Sequence, residues 1–213
     1  MKNLLAACRL YGIVDMGYTA PHEIEQKTAA LLAGGVRILQ LRAKKHSLAE
    51  IAAFARRMQP LCREAGAIFV LNDYPQLAAE LGADAVHIGQ DGGSLAEVRR
   101  IVGEGVLIGR STHSPGQALA AREEGADYIG FGPLFPTGTK PGRASIGLQD
   151  IACVQAALGD FPMFCIGGIN GDTLPQVLAA GAQRIVIVSW LLGQADIAEA
   201  ARGVVARMET RGR

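Results

Sequence analysis

Eight short apolar runs, each followed by a longer amphipathic stretch, leave this chain few folds to choose from. The runs occupy residues 10–14, 36–41, 67–71, 85–88, 106–108, 128–131, 163–166 and 184–188. They are rich in Ile, Val and Leu with little alternation, the pattern of strands buried on both faces. Helical patterns fill 21–33, 47–64, 75–81, 94–102, 115–123, 148–158, 172–179 and 191–208. Pro21 suits a first turn, and Ser47 with Glu50 forms a Ser-x-x-Glu capping box. A recurring turn closes helices just before strands: Ala33-Gly34-Gly35, Ala65-Gly66-Ala67, Leu81-Gly82-Ala83-Asp84, Glu124-Gly125-Ala126-Asp127 and Ala180-Gly181-Ala182. Glycine at such a helix end accepts a left-handed backbone at little steric cost. Eight βα units without a long linker predict an α/β fold, a single (β/α)8 TIM barrel forming one domain over residues 1–213. A doubly wound open sheet is the alternative, and the lack of a Gly-rich dinucleotide fingerprint after the first strand counts against it.

Composition narrows the function. With 49% of 213 residues hydrophobic, one core can be buried without disulfides. A formal net charge of +1, with no blocks of Lys or Arg, argues against a nucleic-acid or membrane-surface partner. No apolar stretch approaches a membrane span, and the apolar run within residues 1–9 is too short for a signal peptide, which implies a cytoplasmic protein. Cys8, Cys62, Cys153 and Cys165 lie far apart without a C-x-x-C pair, and read as small buried hydrophobes in a reducing compartment.

In a barrel, chemistry belongs where the strands run out into the βα loops. Those positions hold Gln40-Leu41-Arg42-Ala43-Lys44-Lys45, Asn72-Asp73, His87-Ile88-Gly89-Gln90-Asp91 and Arg110-Ser111-Thr112-His113. The sixth strand enters a long loop through Thr137-Gly138-Thr139-Lys140, the seventh gives Gly167-Gly168-Ile169-Asn170, and the eighth gives Val188-Ser189. Chance would not gather so many polar groups at one end of eight strands. Gly167-Gly168 with Val188-Ser189 matches a common barrel phosphate site, although Gly-Gly can also be merely a tight turn. Arg42 and Lys44, two apart on an emerging strand, suit a diphosphate, with a solvated charged rim as the alternative. Asp73 suits Mg²⁺ through oxygen ligands, or else caps the helix that starts at Pro75. His87 and His113 read as structural histidines rather than proton carriers, His22 and His46 as surface residues, and Trp190 as packing or a site wall.

Taken together, these residues resemble the thiamine-phosphate synthase family over nearly the whole chain, from Leu10-Tyr11-Gly12-Ile13-Val14-Asp15 to Val188-Ser189. The specific parts are Gln40-Leu41-Arg42-x-Lys44, Asn72-Asp73, His87-Ile88-Gly89-Gln90, Gly132-Pro133-x-Phe135-Pro136-Thr137-x-Thr139-Lys140 and Ile166-Gly167-Gly168-Ile169. The resemblance implies a Mg²⁺-dependent, dissociative transfer of a pyrimidinylmethyl group from its diphosphate to a thiazole phosphate or its carboxylated form. It implies that Gln40 contacts the pyrimidine, that Arg42, Lys44, Asn72, Ser111 and Lys140 hold the diphosphate, and that Asp73 holds Mg²⁺. Arg42, Lys44, Ser111 and Lys140 are then the catalytic groups. Thr137, Thr139, Gly168, Val188 and Ser189 would bind the thiazole phosphate. The partners implied are small phosphorylated molecules, and small barrels of this family often pair, which allows a homodimer.

One position departs from the family. The usual run is Gly-Gln-acid-Asp, whose final Asp is a second Mg²⁺ ligand; here Gly89-Gln90-Asp91-Gly92-Gly93 puts Gly92 at that place and Asp91 one residue early. Asp91 is the expected substitute. The rival reading is the TenI-like branch, which includes a thiazole tautomerase with a catalytic His after strand six; this chain has Pro133 there. A non-catalytic sensor of thiamine-precursor phosphates is the third.

Overall fold

The computed structural model describes residues 1–137 and 144–210. Eight parallel strands close into a barrel in sequence order: β1 (Leu10–Asp15), β2 (Ile38–Arg42), β3 (Ile68–Asn72), β4 (Ala85–Ile88), β5 (Leu107–Thr112), β6 (Tyr128–Phe131), β7 (Met163–Ile166) and β8 (Ile185–Ile187). Closure is direct, because Tyr11 of β1 pairs with Ile38 of β2 on one side and with Val186 of β8 on the other. The open doubly wound sheet is thereby excluded.

Helices α2 (Ile24–Ala33), α3 (Leu48–Glu64), α4 (Pro75–Glu80), α5 (Leu95–Val102), α6 (Pro115–Glu123), α7 (Ile151–Leu158) and α8 (Leu174–Ala179) cover β1 to β7, one after each strand. The capping box at Ser47–Glu50 forms as expected, and Ser94–Glu97 makes another. Four features differ from the sequence expectation. A short helix α1 (Lys2–Ala7) precedes β1. Residues 21–23 form a 3-10 turn before α2. The chain after β8 divides into α9 (Ser189–Leu192) and α10 (Ile197–Glu209), the second capped by the Asp196 carboxylate accepting from Glu199 N–H. And β5 continues four residues past the apolar run.

The recurring Gly-Ala-Asp turns are structural staples at the amino end of the barrel. Gly82 and Gly125 take positive φ, at 62° and 97°, as the turn requires. The following acids then reach the neighbouring strand: Asp84 accepts from Phe69 N–H and Asp127 from Ile108 N–H, both at 2.9 Å. Burial pushes the Asp127 carboxyl up, but the Ile108 N–H, Lys2 and Arg99 outweigh it and hold the group below the usual carboxylate range.

Inside the barrel, aromatic rings stack edge to face rather than leaving a pore. Tyr11 lies 5.3 Å from Phe164 and 5.9 Å from Tyr128, ring centre to ring centre, and His87 packs 5.5 Å from Tyr128. These rings form the floor on which the strand carboxyl ends build their cavity. Cys8, Cys62 and Cys165 are buried as expected, and burial pushes the last two thiols up to about 12; Cys153 is exposed instead.

Candidate active site

At the carboxyl ends of the strands lies one cavity of about 900 Å³ including its mouth. The alternation of side chains along a strand decides who enters it. Tyr11 and Ile13 on β1, Gln40 and Arg42 on β2, Asn72 on β3, His87 on β4, Ser111 on β5 and Gly130 on β6 all line it. Across the opening stand Gly167, Gly168, Ile169, Val188 and Ser189, with Thr137 from the loop after β6. Eight of the residues expected from sequence therefore converge: Gln40, Arg42, Asn72, Ser111, Thr137, Gly168, Val188 and Ser189. Thr139 and Lys140 lie outside the described residues.

The deep wall is built of amide, hydroxyl and imidazole groups. The Gln40 amide donates to the Tyr11 hydroxyl at 2.5 Å, and that hydroxyl stands 3.1 Å from the hydroxyl of Tyr128. Burial raises both phenols above the ordinary tyrosine range, so they serve as neutral hydrogen-bonding groups. His87 Nε2 lies 3.0 Å from Ser111 Oγ, which fixes that hydroxyl toward the cavity. Glycine makes room for this arrangement. A Cβ on Gly109 would stand 2.2 Å from Tyr128 Cζ and 2.5 Å from His87 Nδ1.

Positive charge enters at one side. Arg42 Nη1 pairs with Asp15 at 2.6 Å, and Lys44 Nζ pairs with Asp73 at 3.1 Å. Strand β2 ends at Arg42, so Lys44 stands in the following turn, half exposed, rather than alternating with Arg42 along a strand. The same Asp73 oxygen accepts from the Asn72 amide at 2.8 Å. Asp73 does not cap α4, which has no side-chain cap bond. Instead Asp73 and Tyr74 both sit in the left-handed region, at φ 60° and 54°. Two consecutive non-glycine residues there cost on the order of 1–3 kcal/mol each, a strain the surrounding bonds must hold.

Opposite them, Gly167 and Gly168 adopt φ 103° and 67°. The loop after β6 lies directly on this turn: Phe135 N–H donates to Gly167 O, and a Cβ on Gly168 would come within 2.6 Å of Phe135 Cβ. Gly167, Gly168 and Ile169 line the cavity, and glycine turns of this kind can present main-chain N–H groups to an anion.

The loop after β4 is held in a specific turn. Gly92 N–H donates to Gly89 O, and Arg110 grips the loop through Gly93 O at 2.8 Å and Gln90 O at 3.2 Å. A Cβ on Gly92 would meet Ile88 Cβ at 2.9 Å and Gly89 O at 3.1 Å, so this turn has little room for a side chain there. Asp91 beside it is exposed. Among the described residues, no three His, Cys, Asp or Glu side chains gather as a metal cage.

Sequence reasoning gave Tyr11, Ile13, Ile166 and Val186 no role in the site, although the first three lie in segments that carry the family resemblance; all four line the cavity. His113 lines the cavity, with its Nδ1 against the carbonyl of Gly132. His46, expected at the surface, is half buried with its ring 5.2 Å from Phe54.

Known proteins share this architecture and sequence. The family described as thiamine monophosphate synthase matches residues 10–191. A thiamine-phosphate synthase of Thermus thermophilus is 47% identical over 182 residues, 85% of this chain and 87% of that one. Another, of Acidothermus cellulolyticus, is 41% identical over 213 residues and 98% of each chain. Among solved structures, a thiamine phosphate pyrophosphorylase of Pyrococcus furiosus superposes with a TM-score of 0.85 at 28% identity, covering 98% of both chains. No described helix is long and apolar enough to cross a membrane.

Proposed function

The chain belongs to the thiamine monophosphate synthase family, and from that premise we propose that it is a thiamine-phosphate synthase, a transferase of thiamine biosynthesis. It joins 4-amino-2-methyl-5-hydroxymethylpyrimidine diphosphate to 4-methyl-5-(2-hydroxyethyl)thiazole phosphate, or its carboxylated form, and releases diphosphate. The observation that carries this reading is the convergence on one cavity of a neutral amide and hydroxyl wall, a cation at the rim and a glycine turn opposite.

In this reading the substrate C–O bond breaks heterolytically, and the electron pair leaves with the diphosphate. The pyrimidinylmethyl cation, stabilised by its ring amino group, is then captured by the thiazole nitrogen, whose lone pair forms the new C–N bond. Gln40 orients the pyrimidine above Tyr11. Arg42, Lys44, Asn72, Ser111 and Lys140 stabilise the charge that develops on the leaving group, where fixed donors are most effective. Gly168, Val188, Ser189, Thr137 and Thr139 hold the thiazole phosphate. No protein nucleophile is needed.

The donors at the rim suit Mg²⁺. Asp73 is a carboxylate with a 29% exposed side chain beside the Asn72 amide, and its present cation, Lys44, can turn to the diphosphate. Magnesium takes oxygen ligands, keeps several waters and leans on substrate phosphates, so a full protein cage is unnecessary. When bound there it supplies charge neutralisation of the leaving diphosphate. Asp91 is the second ligand in this reading. We expect Asp73→Ala to raise the Mg²⁺ concentration for half-maximal activity at least tenfold, and Asp91→Ala to raise it severalfold. An unchanged Mg²⁺ titration for Asp91→Ala removes that residue from the site.

The reading is tested by incubating the purified protein with both substrates and Mg²⁺ and assaying thiamine phosphate, with and without chelator. Product that disappears on chelation is the expected result. Folded protein that binds the thiazole phosphate but makes no product overturns it. The thiazole tautomerase reading then leads, for which one observation speaks: His113 brings an imidazole to Gly132, next to Pro133.

A further inference from the structure

We propose that Asp15, at the end of β1, is a positioning residue that fixes the Arg42 guanidinium for diphosphate binding; this rests on the reading of Arg42 as a diphosphate ligand. Asp15 and Arg42 are register partners on adjacent strands. Both oxygens of Asp15 are committed: Oδ2 to Arg42 Nη1 at 2.6 Å, and Oδ1 to Gly17 N–H at 2.9 Å. Gly17 permits that turn, since a Cβ there would press to 3.2 Å of Oδ1.

Arg42 and Lys44 are thus each paired with a carboxylate, but the carboxylates differ in access. The Asp73 side chain is 29% exposed and can exchange its lysine for a metal, whereas that of Asp15 is 3% exposed and enclosed. Asp15 therefore acts only through Arg42. Simple charge counting makes this carboxylate a hindrance, because it repels a diphosphate arriving at the same guanidinium. Orientation works the other way. A long side chain held from the strand side keeps its guanidinium plane in one orientation, and the entropy of ordering it is not lost when the anion binds. The two effects have opposite signs, so an experiment separates them.

The probe is inorganic diphosphate, titrated calorimetrically into the full chain without Mg²⁺. Asp15→Asn keeps an acceptor for Gly17 and removes the charge. Positioning predicts about tenfold weaker binding in Asp15→Asn, and no further loss when Asp15→Asn is added to Arg42→Ala. It also predicts a raised KM for the pyrimidine diphosphate with an unchanged KM for the thiazole phosphate, a split that general loosening of the fold does not produce. Equal or tighter diphosphate binding by folded Asp15→Asn overturns the proposal. If Asp15→Asn does not fold, Arg42→Lys decides: loss comparable to Arg42→Ala supports an oriented guanidinium, and near-normal binding overturns it. Should Arg42→Ala itself bind diphosphate normally, the reading of Arg42 fails, which is a different outcome from failure of Asp15 alone.

Discussion

Replacing Arg42 with alanine is expected to lower kcat/KM for the pyrimidine diphosphate by two to three orders of magnitude. The figure follows from what removal of one oriented donor costs when it stabilises charge that develops in the transition state, roughly 10²–10³ in rate. Arg42 is suited to that task because its guanidinium lines the cavity while remaining largely enclosed, its side chain 13% exposed, so that water screens it little. The loss should fall on both the KM for the pyrimidine diphosphate and kcat, since Arg42 holds the bound diphosphate and gains further as charge on the leaving oxygen grows while the C–O bond breaks, and the KM for the thiazole phosphate should hold. Removing the arginine also leaves Asp15 buried without its cation, which adds a stability cost. Thermal melting of the variant separates that cost from the catalytic one. A fall of less than tenfold in a folded variant would move the main burden of the leaving group to Lys44 and Lys140.

Gly109→Ala is expected to be the most damaging small substitution in the barrel. Its new methyl would lie 2.2 Å from Tyr128 Cζ and 2.5 Å from His87 Nδ1; Tyr11 packs against both rings and Phe164 against Tyr128. Overpacking of a filled core costs about 1–3 kcal/mol and occasionally more, and a clash this short places Gly109→Ala at the upper end. For a chain of this size about 3 kcal/mol lowers Tm by roughly 6–12 °C. Gly203→Ala is the control: Gly203 lies inside α10 with nothing within 4 Å of a Cβ, so alanine there should hold or slightly raise Tm. Parallel melting curves check both, and a Gly109→Ala variant as stable as the parent would mean that Tyr128 and His87 can repack. Because those rings support Gln40 and Ser111, the same substitution should also weaken pyrimidine binding.

The barrel was legible in the sequence because strand and helix announce themselves by period, and each βα unit repeats the same signal. Three apolar runs, at 85–88, 128–131 and 163–166, coincide with β4, β6 and β7. The signal failed where the site begins. Strand β5 continues through Gly109, Arg110, Ser111 and Thr112, residues chosen for ring clearance, loop anchoring and hydrogen bonding rather than for apolar burial. The helix expected after β8 was likewise two: Gly193 ends α9 and Asp196 caps α10, local signals that the continuous amphipathic period across 191–208 masked.

The site divides along the same line. Local order alone determined which residues stand at strand ends, because in a parallel barrel every strand points its carboxyl end to one face, and that much identified Gln40, Arg42, Asn72, Ser111, Gly168 and Ser189. What local order could not determine is which of them meet, and what supports them. Asp15 and Arg42 are 27 positions apart, and Tyr11 and Tyr128 are 117 apart. Their contacts arise only when register and closure bring β1 beside β2 and set the β1 and β6 rings facing across the interior. The lack of room for a side chain at Gly109 and at Gly92 is of the same kind. It is a property of neighbours distant in the chain or of a turn clamped by Arg110, and no spacing in the sequence records it.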